Sequence, residues 1–152
     1  MIVKVYVETS VISGPLSGDP LVASASRAFF SRVERREMSA HISRYVTREI
    51  VTTPEEEKRR KLFTFLRLCK RDAPHGKKVE ALADQYVKER AFSSSYRLDA
   101  VHIASASIGR YDALATWNKQ HIRRLRTKLV VEKVNLRLGL STPAIVTPEE
   151  IL

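Results

Sequence analysis

The sequence has no long hydrophobic run and almost no cysteine. No stretch approaches the roughly 20 consecutive apolar residues of a transmembrane helix, so we predict no membrane-spanning segment. The apolar opening at residues 2–7 is interrupted by Lys4 and ended by Glu8, which does not fit a secretory signal peptide. The single cysteine, Cys69, excludes an internal disulfide, and its apolar neighbours predict a buried side chain rather than a nucleophile. These absences predict a protein of the reducing cytoplasm.

The chain also has no internal repeat, no low-complexity tract and no linker long enough to divide it, so we expect one domain over residues 1–152. Hydrophobic residues make up 43% of the sequence, enough for a core that needs no disulfide to hold it. Acidic residues are fewer than basic residues. The sequence has 27 Lys and Arg residues and 17 Asp and Glu residues, which give a formal net charge of +10. This excess attracts polyanions, but it equally suits an acidic protein partner or a solubilising surface.

Hydrophobic patterning predicts strands that alternate with helices. Residues 2–7 are apolar and β-branched, as in a buried strand of a parallel sheet, and residues 98–108 are apolar on nearly all sides, as in a buried helix. Further strands are predicted at 38–42, 111–117 and 143–147, a loop with a poor edge strand at 70–76, and helices at 21–33, 44–51, 54–68, 77–90, 121–138 and, as one turn, 148–150. This alternation predicts an α/β fold in which helices cover both faces of a parallel sheet.

Four polar residues stand where such a sheet binds its ligands, beyond the carboxyl ends of its strands. Glu8 follows the first strand, and Asn118 follows the strand at 111–117. Asp99 begins the buried helix, and Glu49 lies on a helix whose apolar face must pack inward. An isolated acid at a strand end is more often solvated or a helix cap, so the order and spacing of the set carry the argument.

The stretches that contain these residues resemble motifs of the PIN-domain family, and more narrowly of the small single-domain, VapC-like toxin ribonucleases of bacteria and archaea. They read VYVETSVIS at 5–13, ISRYVTREI at 42–50, LDAVHIA at 98–104 and LATWNKQHI at 114–122. The last two are the most specific. The closing TPEEIL at 147–152 extends the resemblance over essentially the whole chain.

The resemblance implies a three-layer α/β/α PIN-like fold, with a parallel sheet of about five strands, that cuts RNA with Mg²⁺ or Mn²⁺. The family's acidic metal site maps onto Glu8, Glu49 and Asp99, with its fourth position at Asn118, and we predict all four as catalytic and the first three as metal ligands. Hard divalent cations prefer oxygen ligands, relieve the repulsion between crowded carboxylates and lower the pKa of a bound water. No side-chain nucleophile is required.

Two positions depart from the family's usual acids. The family usually has Asp where this chain has Glu8, and the extra methylene moves the carboxylate by about 1.5 Å, whereas Mg²⁺ demands ligands at about 2.0–2.1 Å. Either Glu8 folds back or coordinates through water and the site stays active, or the chain is a catalytically impaired PIN-like RNA-binding or protein-docking module. Asn118 offers an oxygen ligand that carries no charge. Whether the site binds a second metal ion is therefore left open. Asp112 precedes its strand and is predicted to be a turn residue.

Hydroxyl groups stand beside two of the four positions, Glu8 and Asn118. We expect Thr9 and Ser10 to donate hydrogen bonds to Glu8 or to a metal-bound water, and Thr116 to act in the same way beside Asn118; the alternative is that these residues cap helices. His102, one turn after Asp99, is predicted to be a structural histidine with satisfied hydrogen bonds rather than a metal ligand.

Aromatic and basic residues surround the fourth motif. His121 is predicted to pack against Trp117, which can itself stack a base or pack into the core. Predicted RNA-binding residues are Arg44, Arg48, Lys119, Arg123 and Arg124. The basic run at 58–61 is predicted to be a solvated helix face or a docking surface. The resemblance further implies an RNA substrate, an antitoxin protein partner and a homodimer.

Overall fold

A parallel β-sheet forms the centre of the computed structural model, which describes residues 1–151. Its strands are β1 (Val3–Val7), β2 (Met38–His41), β3 (Ala113–Ala115) and β4 (Ala144–Val146), in the order β2-β1-β3-β4. All three pairings are parallel. Lys70 adds an isolated parallel bridge to His41 beyond β2, where the poor edge strand is predicted. The described residues thus form four strands and one bridge, against about five strands expected.

Helices cover both faces of this sheet, which confirms the predicted three-layer α/β architecture. They are α1 (Thr9–Ser13), α2 (Pro20–Glu34), α3 (Arg44–Val51), α4 (Glu56–Leu66), α5 (Lys77–Lys88), α6 (Arg97–Ile108), α7 (Leu125–Arg137) and α8 (Pro148–Ile151), with 3-10 turns at Gly14–Leu16 and Ser94–Tyr96. Within the described range, no helix has the length and apolar character needed to cross a membrane. Leu152, the last residue of the closing motif, lies outside the described residues.

The prediction of one helix over 121–138 is wrong at its start, since α7 begins only at Leu125. The preceding residues form a turn instead: Asn118 accepts hydrogen bonds from the backbone of His121 through its side chain and of Arg123 through its carbonyl. Thr127 then donates its hydroxyl to the carbonyl of His121, which holds this turn against the helix. Apolar spacing cannot reveal such a break, because Ile122 is buried in the turn as it would be in a helix.

The core is a continuous cluster that contains the inner strands and the inward faces of the helices. Cys69 is part of it, and burial raises the pKa of its thiol to about 12. This confirms that Cys69 is a buried side chain without nucleophile character.

A buried polar network joins α5, α6 and α7. Asn135 is fully buried, accepts from the Tyr86 hydroxyl and donates to Ser107 and Thr142. We expect Asn135→Ala to lower the free energy of unfolding by about 2–4 kcal/mol, because several buried groups lose partners together. Urea denaturation measures this, with Lys133→Ala, an exposed site on the same helix, as the control. Equal losses in both variants would show that the network does not stabilise the fold.

Candidate functional site

Glu8 leaves the carboxyl end of β1 and caps the N-terminus of α1. Its Oε1 accepts hydrogen bonds from the hydroxyls of Ser10 and Thr116, both at 2.6 Å. Its Oε2 accepts from the backbone N–H of Ser10 at 3.1 Å, and the side chain is buried. The extra methylene of Glu8 is thus accommodated by a carboxylate that turns back onto its own helix, with Ser10 and Thr116 as its donors.

Asn118 is connected to Glu8 through Thr116. The backbone N–H of Asn118 donates to the Thr116 hydroxyl at 3.0 Å, and its side-chain oxygen accepts from the backbone of His121 at 2.9 Å. That oxygen therefore holds the turn that positions His121. A role of Asn118 in catalysis stays a prediction.

Glu49 reaches the same edge from α3. Its Oε1 accepts a hydrogen bond from the Thr9 hydroxyl at 2.7 Å. The same oxygen lies within hydrogen-bond distance of Nε2 of His102, also at 2.7 Å. Thr9 thus holds Glu49 rather than Glu8. Burial raises the pKa of Glu49, but the hydrogen bond and charge of His102 and the hydrogen bond from Thr9 outweigh it, so that the pKa is lowered. Glu49 is therefore a carboxylate, with its side chain 31% exposed.

His102 is fully buried and has partners on both ring nitrogens, as a structural histidine does. Its Nδ1 lies 2.7 Å from the Tyr6 hydroxyl, which lies 2.8 Å from the hydroxyl of Ser43. Burial lowers the pKa of His102, but the hydrogen bond to Glu49 and the charges of the surrounding acids raise it by more. Sequence reasoning missed that this histidine fixes Glu49; the available signal was an ionisable residue among the apolar and small residues of a buried helix.

Asp99 lies in the first turn of α6. Its Oδ2 is 3.0 Å from Nδ1 of His121. Burial raises the pKa of Asp99, and the nearby negative charge of Glu8 raises it further, while the two histidines partly offset both effects. His121 stacks on Tyr96 with ring centroids 3.7 Å apart. The expected packing of His121 on Trp117 is therefore replaced by this stack.

Trp117 is partly buried and packs against the core. Its indole N–H donates to the Ser26 hydroxyl at 2.9 Å. Asp112 accepts from the backbone N–H of Lys4 at 2.8 Å, next to the start of β3. This confirms that Asp112 is a structural residue outside the acidic group.

Glu8, Glu49 and Asp99 all lie close enough to His102 for their charges to raise its pKa, and each has one oxygen held by a side chain of the protein. Within residues 1–151 no group donates to Glu49 Oε2 or to Asp99 Oδ1, and Glu8 Oε2 accepts only from a backbone N–H. Three carboxylates with such oxygens match the donors that Mg²⁺ and Mn²⁺ prefer. The same part of the chain holds no three acidic, histidine or cysteine side chains already converged on one metal position, so binding requires the carboxylates to rotate.

The predicted RNA-binding residues divide into two groups. Arg44 and Arg48 are exposed and line an open depression of about 350 Å³ beside α3. Lys119 and Arg124 are exposed beyond β3. Arg123 instead pairs with Glu150 at 3.1 Å and is mostly buried, so its side chain ties the turn to α8. Contact with RNA stays a prediction for all five residues.

The hydrogen-bonded chain behind Glu49 gives a stability test. Tyr6→Phe removes the hydroxyl that Ser43 and His102 share, and we expect the free energy of unfolding to fall by about 1–3 kcal/mol. Chemical denaturation measures this, with the exposed Tyr96→Phe as the control. An unchanged value for Tyr6→Phe would show that the buried hydroxyl contributes nothing.

No protein-family model matches the chain, and no curated protein matches it in sequence. Among solved structures, the chain is similar to one in the crystal structure of FitAcB from Neisseria gonorrhoeae, with a TM-score of 0.56 and 17% sequence identity. The match covers 95% of this chain and 97% of that chain. At this identity the likeness concerns the fold, which the two chains share over nearly their whole length.

Proposed function

We propose that this protein is a metal-dependent endoribonuclease whose site is formed by Glu8, Glu49 and Asp99, and that it is the toxin of a type II toxin–antitoxin pair. The observation that best supports the nuclease is the grouping of three carboxylates at the carboxyl edge of the sheet, each held by the protein through one oxygen. The fold shared with FitAcB and the PIN-like motifs are consistent with it.

Each acid has its own positioning group in this proposal. Thr9 and His102 hold Glu49, and the hydroxyls of Ser10 and Thr116 hold Glu8. These groups restrict the two side chains, so that a rotation about the held oxygen brings the other carboxylate oxygen toward a cation. Bound Mg²⁺ or Mn²⁺ supplies an activated water and offsets charge at the scissile phosphate.

The alternative function is a catalytically impaired PIN-like module that binds RNA or docks a protein. One observation favours it: Glu8 has three protein donors on its carboxylate, and the acids do not converge on a metal position in the described residues. RNA binding that is insensitive to chelator, without any cutting, supports this alternative.

Metal removal tests the proposal. We expect protein stripped with EDTA to leave labelled RNA intact, and added Mn²⁺ to restore cutting, because crowded carboxylates need a cation before they admit a phosphate. Gel analysis of the RNA measures this. Glu49→Gln protein purified in the same way controls for contaminating ribonuclease. Cutting that persists in EDTA, or that Glu49→Gln retains in full, contradicts the proposal.

Two partners complete the proposal: an antitoxin protein that neutralises the nuclease, and a second copy of this chain in a homodimer. Both follow from the resemblance to small PIN-domain toxins. The antitoxin partner is tested by expression in cells: the protein should arrest growth, and a co-expressed antitoxin should relieve the arrest. The homodimer is tested by measuring the mass of the purified protein by light scattering.

A further inference from the structure

A small basic cavity lies next to the acidic group, between the end of α5 and the start of α7. Its volume is about 220 Å³. Its lining includes three arginines, Tyr96 and His121, the residue that contacts Asp99. We name it the arginine pocket and define it by Arg90, Arg124, Arg126 and Tyr96.

The three guanidinium groups of this pocket have no protein counterion. In the described residues, no acid lies within salt-bridge distance of Arg90, Arg124 or Arg126; among the other exposed arginines, Arg97 and Arg137 are paired, whereas Arg44 and Arg48 are not. Three unpaired positive charges around one concavity repel each other, and an anion with several acceptor oxygens relieves that repulsion. The pocket thus has the charge and the donors to bind a phosphate group.

The size of the cavity shows what kind of phosphate compound it suits. It is smaller than the roughly 300–1,000 Å³ of sites that enclose a whole small molecule. It therefore fits one segment of a longer ligand that continues outside. Tyr96 is 43% exposed and its ring stacks on that of His121, so part of the ring remains exposed for contact with a base.

His121 connects this pocket to the acids. One side of the residue touches Asp99 at 3.0 Å, and its ring is stacked 3.7 Å from that of Tyr96. A base stacked on the exposed side of Tyr96 is therefore separated from Asp99 by the two stacked rings of Tyr96 and His121. We propose that the arginine pocket binds the nucleotide next to the scissile phosphate in single-stranded RNA, with its phosphate on the arginines and its base on Tyr96. This inference rests on the proposed nuclease function and assigns a substrate subsite to it.

Binding of a fluorescent 12-residue single-stranded RNA in EDTA tests the subsite without any cutting. Anisotropy titrations compare wild type with two triple variants that lose the same charge. The pocket variant carries Arg90→Gln, Arg124→Gln and Arg126→Gln, and the control variant carries Arg36→Gln, Arg110→Gln and Lys133→Gln. Arg36 and Arg110 are included because they share the positive φ of Arg90, at 60°, 56° and 67°, so the control carries at least the backbone effect of the pocket variant.

We expect the pocket variant to bind the RNA at least about thirtyfold more weakly than wild type, and the control variant within about threefold. The slope of log affinity against log salt becomes shallower by about 0.7 for each lost phosphate contact in the pocket variant. Tyr96→Ala weakens binding roughly five- to a hundredfold, whereas Tyr96→Phe, which keeps the ring, does not.

Equal losses in the two triple variants would overturn the proposal, since binding would then follow net charge alone. So would displacement of the RNA by polyglutamate at equal charge concentration, which would assign the pocket to an acidic protein. The nuclease proposal can fail separately. If RNA binds in the pocket but is never cut with Mn²⁺, the nuclease proposal is contradicted and the binding subsite is supported. If the pocket and control variants cut RNA equally well with Mn²⁺, the subsite is contradicted and the nuclease proposal is supported.

Discussion

Asp99→Asn is expected to reduce Mn²⁺-dependent RNA cutting by at least about a hundredfold, the largest effect of any single substitution considered. Asn keeps the shape of the side chain and one carbonyl oxygen, but it removes the charge that attracts a cation. The initial rate of cleavage of a labelled RNA under excess enzyme measures the loss.

The same substitution should not weaken the fold. Burial and the charge of Glu8 raise the pKa of Asp99 above its unfolded value of about 3.9. The folded state therefore binds a proton more tightly than the unfolded state, and stability falls as the pH rises through this window. At neutral pH the ionised Asp99 destabilises the protein, so a neutral Asn leaves the free energy of unfolding unchanged or raises it.

A group whose replacement abolishes activity without loss of stability is maintained for function rather than folding. Asp112→Asn is the matched control, because Asp112 caps β1 through the backbone of Lys4 and stands outside the acidic group. If Asp99→Asn protein cuts RNA as fast as the control, Asp99 has no catalytic role. If the substitution greatly lowers the free energy of unfolding, Asp99 is a residue that stabilises the fold.

Glu8→Asp is expected to lower cutting by about ten- to a hundredfold, although Asp is usual at the matching position of the PIN-domain motifs that this sequence resembles. The hydroxyls of Ser10 and Thr116 both meet Oε1 of Glu8 at 2.6 Å, so the donors are placed for the longer side chain. Aspartate withdraws its carboxylate from both donors. Single-turnover cleavage rates with saturating Mn²⁺ measure the effect.

Glu55→Asp provides the control for this exchange. Glu55 is the N-cap of α4 as Glu8 is the N-cap of α1, but it is exposed and forms no capping hydrogen bond. We expect this control to cut like wild type. Faster cutting by Glu8→Asp than by wild type would support the catalytically impaired module instead.

Much of the fold follows from local patterning. Helix α3 begins and ends at the predicted residues, and α2, α5 and α6 agree within a few residues, since each has an apolar face or is apolar throughout. Helix α1 was missed because its residues include β-branched Val11 and Ile12, and its start depends on the side chain of Glu8. The late start of α7 depends on the turn at Asn118.

The site could be predicted only in part for the same reason. The order of the motifs predicted which acids form the candidate site. It did not predict which carboxylate oxygen of each acid is hydrogen-bonded by the protein. The role of His102 depends on Tyr6 and Glu49, which lie 96 and 53 residues away in sequence. Arg90 and Tyr96 lie in no recognised motif, and although Tyr96 is near Asp99 in sequence, only the fold places both residues beside His121.

Binding of Mn²⁺ to the metal-free protein tests the central claim most directly, namely that Glu8, Glu49 and Asp99 form a divalent-metal site. Electron paramagnetic resonance of free Mn²⁺ during a titration counts the ions bound and gives their affinity. We predict at least one Mn²⁺ bound per chain by wild type and by Asp112→Asn, and at least about a tenfold weaker affinity for Asp99→Asn. Equal Mn²⁺ affinity in wild type and Asp99→Asn, or no binding by wild type, would contradict the account.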